Sequence, residues 1–185
     1  MSNFDQFKYV DTIPRSVKVR RLVWLFAWSI TFKITPRWTC HGWRRGILRL
    51  FGAKIGKGCK ISPSCFVWAP WNLEMGDYSA LGDGVDCYTM AKITIGSKVA
   101  VSQRSFLCTG SHSISSLLRP LKTFPITIGD HAWIAAESFV HPGVNIGKGT
   151  VIGARSVVTK DMPEWMICSG HPCVPIRQRT LTNPN

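Results

Sequence analysis

The chain has 185 residues, 45% hydrophobic and 18% charged, enough apolar mass for one domain with an appendage and too much for a disordered tail. Its formal charge of +13 suggests a polyanion partner. That charge is uneven: residues 1–60 carry 13 Lys and Arg against Asp5 and Asp11, whereas residues 61–185 carry ten against eight carboxylates, which argues against a uniformly basic nucleic-acid binder.

In chain order, residues 1–51 read as a basic, Trp-rich helical segment. Trp24, Trp28, Trp38 and Trp43 lie among nine Lys and Arg between Arg15 and Arg49. The apolar run Leu22–Phe32 falls short of the roughly 20 residues of a spanning helix, and Lys33-Ile34-Thr35-Pro36-Arg37 offers no signal-peptide cleavage site. Two readings of residues 15–51 coexist. The segment lies in a membrane interface, with rings at headgroup depth and cations toward anionic lipid, or it caps the structure that follows. Nucleic acid ranks low, because the stretch is too apolar for a solvated arm and carries no binding motif.

Residues 52–163 form a repeat. An aliphatic residue followed by Gly recurs at Ile55-Gly56, Met75-Gly76, Leu81-Gly82, Ile95-Gly96, Ile128-Gly129, Ile146-Gly147 and Ile152-Gly153. Several of the gaps are multiples of six, and the beat continues through pairs such as Val67-Trp68, Val101-Ser102 and Ile134-Ala135. An apolar residue every sixth position, then a small one, suits a short strand and a bend rather than period 2 or period 3.6. Three strands and three bends make a coil, and stacked coils bury a continuous aliphatic column, which predicts an all-β solenoid. Residues 164–185 read as an exit segment. Seven cysteines with no CxxC pair point to a reducing compartment and to small buried hydrophobes.

The beat fails at about 110–123, in an excursion that opens on His112. Excursions from a rigid repeat are natural carriers of function. No metal is expected: Cys59 and Cys65 are equivalent positions on successive faces, and the separations between His112, His131 and His141 lack a close second pair.

The stretches Leu107-Cys-Thr-Gly-Ser-His112, Phe124-Pro-Ile-Thr-Ile-Gly-Asp-His-Ala-Trp-Ile134, His141-Pro-Gly-Val-Asn-Ile-Gly-Lys-Gly-Thr-Val-Ile-Gly-Ala154, Val157-Val-Thr-Lys-Asp-Met-Pro163 and Ser169-Gly-His-Pro-Cys173 together resemble the hexapeptide-repeat acyltransferases. The nearest flavour is the colanic-acid-biosynthesis-type and maltose or galactoside O-acetyltransferases. The resemblance covers about Gly52 to Arg179 and implies a left-handed parallel β-helix working as a homotrimer, with acetyl-CoA in the groove between subunits. It makes His112 the catalytic base. It places Ala136 and Ala154 along the pantetheine or adenine path, Thr159 and Lys160 further along, and Arg177 on the phosphates. Val174 stands where a basic residue is frequent, so phosphate binding is expected to rest on Arg177 and Arg179. Trp133 either walls the thioester end or packs in the core, and Asp83 and Asp86 are candidates to hold the acceptor or orient His112.

A neutral imidazole is suited to this chemistry, because a hydroxyl attacks a thioester once it loses its proton and no acyl-enzyme is needed. The expectation is a cytoplasmic, acetyl-CoA-dependent O-acetyltransferase acting on a saccharide or lipid-linked saccharide, peripheral to the inner membrane if the front section binds lipid. N-acyl transfer to an amino sugar and a catalytically silent β-helix scaffold are the alternatives.

Overall fold

The computed structural model describes residues 12–181; residues 1–11 of the front section and 182–185 of the exit segment lie outside it. The repeat forms a parallel β-solenoid of about six turns. Each coil contributes one short strand to each of three sheets, and each strand points one aliphatic residue inward.

The in-register columns make this explicit. In the first sheet Ile55, Met75, Ile95, Ile128 and Ile146 stand on one another. In the second, Ile61, Leu81, Val101, Ile134, Ile152 and Cys168 do so, and in the third Val67, Cys87, Leu107, Val140 and Val158. These side chains are buried in one continuous core, each aliphatic one contributing about 1.5–3 kcal/mol relative to exposure. The glycine after the inward residue is required by stacking. A Cβ on Gly76 would lie 2.6 Å from the backbone nitrogen of Ser97 in the next coil, closer than any methyl group can approach, while its own N–H donates to the Ile95 carbonyl at 2.8 Å.

The coils are not of one length. Along the columns, the steps from first to second sheet and from second to third are six residues, but the step from third back to first changes. It is eight from Val67 to Met75 and from Cys87 to Ile95, 21 from Leu107 to Ile128, and six from Val140 to Ile146. Every insertion therefore falls on one edge of the prism. Two buried threonines stitch that edge together: Thr89 Oγ1 donates to the Ala69 carbonyl at 2.9 Å, and Thr109 Oγ1 to the Tyr88 carbonyl at 2.5 Å.

The open end of the solenoid is closed by helix α1, Arg15–Ala27, prolonged by a wider turn over Trp28–Phe32, and by helix α2, His41–Leu50. A parallel sheet ending in water leaves a row of orphan carbonyls. Here side chains take them in turn. Arg49 donates to the Ile55 carbonyl, Arg45 to Cys59, Arg44 to Ile61, Trp28 to Cys65 and Trp24 to Val67. Much of the basic, Trp-rich composition of this section is thus a capping device. None of the helices among the described residues is long and apolar enough to cross a membrane.

Candidate active site

The excursion is a β-hairpin standing off the variable edge. Gly110–His112 pairs antiparallel with Leu121–Thr123, His112 opposite Leu121. The strand leaves the coil directly over Tyr88 and Met90. A Cβ at Gly110 would meet the Tyr88 ring at 2.8 Å and the Met90 sulfur at 3.0 Å, so a larger residue before Ser111-His112 would have to displace these side chains. The loop is closed by the Ser113 N–H on the Pro120 carbonyl at 3.0 Å, with Ser113 buried.

Within this loop the imidazole is fixed. Nδ1 of His112 lies 2.7 Å from the carbonyl oxygen of Arg119. A carbonyl only accepts, so in the neutral ring Nδ1 carries the proton and donates, and the lone pair sits on Nε2. The sequence could not name this partner, because it is a backbone atom.

Beside the hairpin is a cavity of about 210 Å³, lined by Trp68, Trp71, Asn72 and Met90 together with Leu121 and Thr123. Asn72 is held by its amide, which donates to the carbonyls of Thr89 and Met90 at 2.9 and 3.2 Å. Sequence reasoning passed over these four residues. The signal available was the eight-residue spacing of the two corners that carry them.

The other expected site residues are scattered around the prism. Thr159 and Lys160 follow the third-sheet strand Val157–Val158 and share the edge of His112, both exposed. Trp133 stands on the second sheet, 47% exposed, its indole donating to Ser102 Oγ at 2.9 Å; of the two readings, core packing does not hold. Ala136 and Ala154 lie at the edge between second and third sheets, where the Arg155 N–H donates to the Ala136 carbonyl at 2.9 Å and Glu137 bridges Arg104 and Arg155. Arg177 is exposed on the outermost strand, Cys173–Gln178. Arg179 donates through Nη1 to the carbonyls of His131 and Gly149 at 3.0 and 2.7 Å, which ties the exit segment to the second-sheet side of the solenoid.

The two aspartates stand at different places on the prism. Asp83, at the edge between second and third sheets, pairs with Arg37 at 2.6 Å and accepts from Ser62. Asp86 lies in register between Phe66 and Phe106 on the third sheet. Its Oδ1 is buried without a hydrogen-bond partner, and burial pushes the carboxyl up to about 6.

Residues 125–160 match the family described as bacterial transferase hexapeptide (six repeats). Over 158 residues the chain is 48% identical to the protein named as the colanic acid biosynthesis acetyltransferase WcaF of Escherichia coli (strain K12), covering 85% of this chain and 83% of that one. The chain belongs to the hexapeptide-repeat acetyltransferases. Galactoside O-acetyltransferase of Escherichia coli (strain K12) is 33% identical over 141 residues, 73% of this chain and 68% of that one. A solved galactoside acetyltransferase in complex with coenzyme A superposes with a TM-score of 0.83 at 26% identity, over 92% of this chain and 86% of that chain. The parallel solenoid with its N-terminal helical segment is thus the fold of left-handed β-helix acetyltransferases.

Proposed function

We propose that this acetyltransferase moves the acetyl group of acetyl-CoA to a hydroxyl of a saccharide, free or lipid-linked, in polysaccharide biosynthesis, with His112 as general base. The observation that carries the reading is the 2.7 Å contact of Nδ1 with the Arg119 carbonyl, which leaves Nε2 as the proton acceptor. Nε2 takes the hydroxyl proton as the oxygen attacks the thioester carbonyl. Collapse of the tetrahedral species breaks the C–S bond, and the proton returns to the leaving thiolate.

The acceptor occupies the cavity beside the hairpin, lined by Trp71 and Met90, whose apolar surfaces suit the C–H face of a sugar. The donor runs past Ala136 and Ala154, where small side chains leave room for a narrow pantetheine arm. Trp133 walls its thioester end, Thr159 and Lys160 line its later part, and Lys160 and Arg177 offer exposed cations to its phosphates. His112 and Ala154 belong to different edges of one prism, so the complete site forms between neighbouring copies in a homotrimer. Seven unpaired cysteines fit work in the cytoplasm.

The test is thiol release from acetyl-CoA with a panel of saccharides, followed by hydroxylamine lability of the product, which separates an ester from an amide. His112→Ala should lower kcat by about 10²–10⁴ while coenzyme A still binds. Undiminished turnover in that variant would remove His112 from the chemistry, and a wild-type chain that neither binds coenzyme A nor releases thiol would favour the scaffold.

A further inference from the structure

Helix α1 is amphipathic in an unusual sense: both of its faces are apolar. One face carries Trp24, continued by Trp28 of the following turn, and these cap the first coil through the Val67 and Cys65 carbonyls. The opposite face carries Val19, Leu22, Val23 and Phe26, and Ile30 continues the row into the following turn. The spacings of three and four residues put these five on one stripe. All are exposed, Leu22 by 67% and Phe26 by 68%. Trp43 of α2 extends the patch, since its indole donates to the Thr31 carbonyl at 2.8 Å while half its surface remains open.

A contiguous apolar stripe left exposed marks an interaction site, and the charge around it selects the partner. Between Asp11 and Glu74 the sequence has no carboxylate and 12 Lys and Arg. Several of these are engaged by the cap: Arg44, Arg45 and Arg49 on carbonyls, and Arg20 and Arg21 stacked on Trp71 and Trp68. Arg15, Lys18 and Lys33 are also exposed to solvent at the two ends of the stripe, Lys33 with its ammonium 5.5 Å from the centroid of the Trp28 ring. A row of aliphatic and aromatic side chains flanked by cations is complementary to an anionic lipid surface.

We propose that the outward stripe of the cap, Val19, Leu22, Val23, Phe26 and Ile30, docks the enzyme on anionic bilayers. The face would lie flat in the headgroup region, its basic ends on lipid phosphates, with the solenoid held in the aqueous phase. The capping face would stay as it is, so docking and capping use opposite sides of one helix.

The experiment is flotation of the full chain with vesicles of phosphatidylcholine alone or with about 30% phosphatidylglycerol, a fraction chosen to match a strongly anionic leaflet. Wild type should float with the anionic vesicles, and 0.5 M NaCl should weaken the association, on the order of that expected for screened charge. The exposed double substitution Leu22→Ser/Phe26→Ser should lower partitioning at least ~10-fold with an unchanged melting temperature. Arg15→Gln/Lys18→Gln/Lys33→Gln should abolish the preference for anionic lipid. Wild type failing to float, or the double variant floating like wild type, overturns the proposal. So does a higher assembly that the double variant dissolves without any vesicle binding, which would assign the stripe to a second copy. Flotation needs no turnover, so its failure leaves the acyl-transfer reading standing, and loss of that reading leaves flotation unaffected.

Discussion

The imidazole Nδ1 of His112 and the carbonyl oxygen of Arg119 are 2.7 Å apart, and Arg119 holds that carbonyl in place from a backbone conformation with φ 45°. The orienting group is therefore a main-chain atom whose position depends on a left-handed residue. Arg119→Gly accepts that φ without strain and should keep kcat within about twofold. Arg119→Pro locks φ near −65°, swings the carbonyl away and should lower kcat at least ~10-fold. The melting temperature should stay level in both, because the hairpin lies outside the coil stack. Wild-type turnover in Arg119→Pro would show that this carbonyl does not position the base.

Arg44 should be the cap's most sensitive residue. It is fully buried, and its guanidinium donates to the Ile61 carbonyl at 2.6 Å, to Thr35 Oγ1 at 2.7 Å and to the carbonyls of Pro36 and Thr39 at 3.1 and 2.7 Å. Arg44→Met keeps the volume but leaves these acceptors unpaired, at a cost of about 3 kcal/mol. Urea unfolding should register that loss, and limited proteolysis should open the segment before the solenoid. Lysine cannot fork to the same acceptors, so Arg44→Lys should recover little. A variant as stable as wild type would mean that the first coil does not need its carbonyls covered.

These two residues also show what a sequence can disclose. The inward columns were legible because one aliphatic residue every sixth position is a physical requirement of the coil, repeated at Ile55, Ile61 and Val67 and again at Ile146, Ile152 and Val158. His112 was legible as the point where that requirement lapses. Its partner was not, since any residue supplies a carbonyl and only the hairpin decides which one arrives. Arg44, Arg45 and Arg49 misled in another way. As a charge run they resemble lipid ligands, yet they close the open end of the sheets, a demand that appears only once strands have an end. The cavity beside the hairpin was hidden for a related reason, because Trp71, Asn72 and Met90 stand on corners two residues longer than the repeat.

Asp86 gives stability a specific pH dependence. Its carboxyl titrates at about 6 in the folded chain, against roughly 3.9 for an exposed aspartate, so the native state binds its proton more tightly than the unfolded state. The group's penalty is absent below about pH 4, grows as pH rises to about 6 and is complete above that. Asp86→Asn should therefore stabilise the chain above pH 6 by about 1 kcal/mol, less than the full shift would give because the face is partly open to solvent. At pH 4 the two chains should be equal. Thermal unfolding from pH 4 to 8 reads the difference directly, and parallel curves would mean that the buried oxygen finds a partner in solution.

The proposed division of the site between two edges gives the last prediction. His112 leaves the edge between third and first sheets, whereas Ala154 is exposed at the edge between second and third. In a closed trimer each groove joins an edge of one copy to a different edge of the next. His112→Ala removes the proposed base, and Ala154→Trp fills the proposed donor path with a side chain that solvent-exposed backbone can carry without unfolding. Each variant alone should be inactive. If one groove draws its two halves from neighbouring chains, equal mixing and reassembly gives a quarter of the grooves both intact halves, and turnover should return to about a quarter of wild type. If both halves served one chain's own groove, no mixture could restore one. Activity near zero in reassembled trimers would therefore confine the site to a single protomer, and recovery toward a quarter would place the acetyl donor across the boundary between two copies, against the base of one and the alanine ladder of the other.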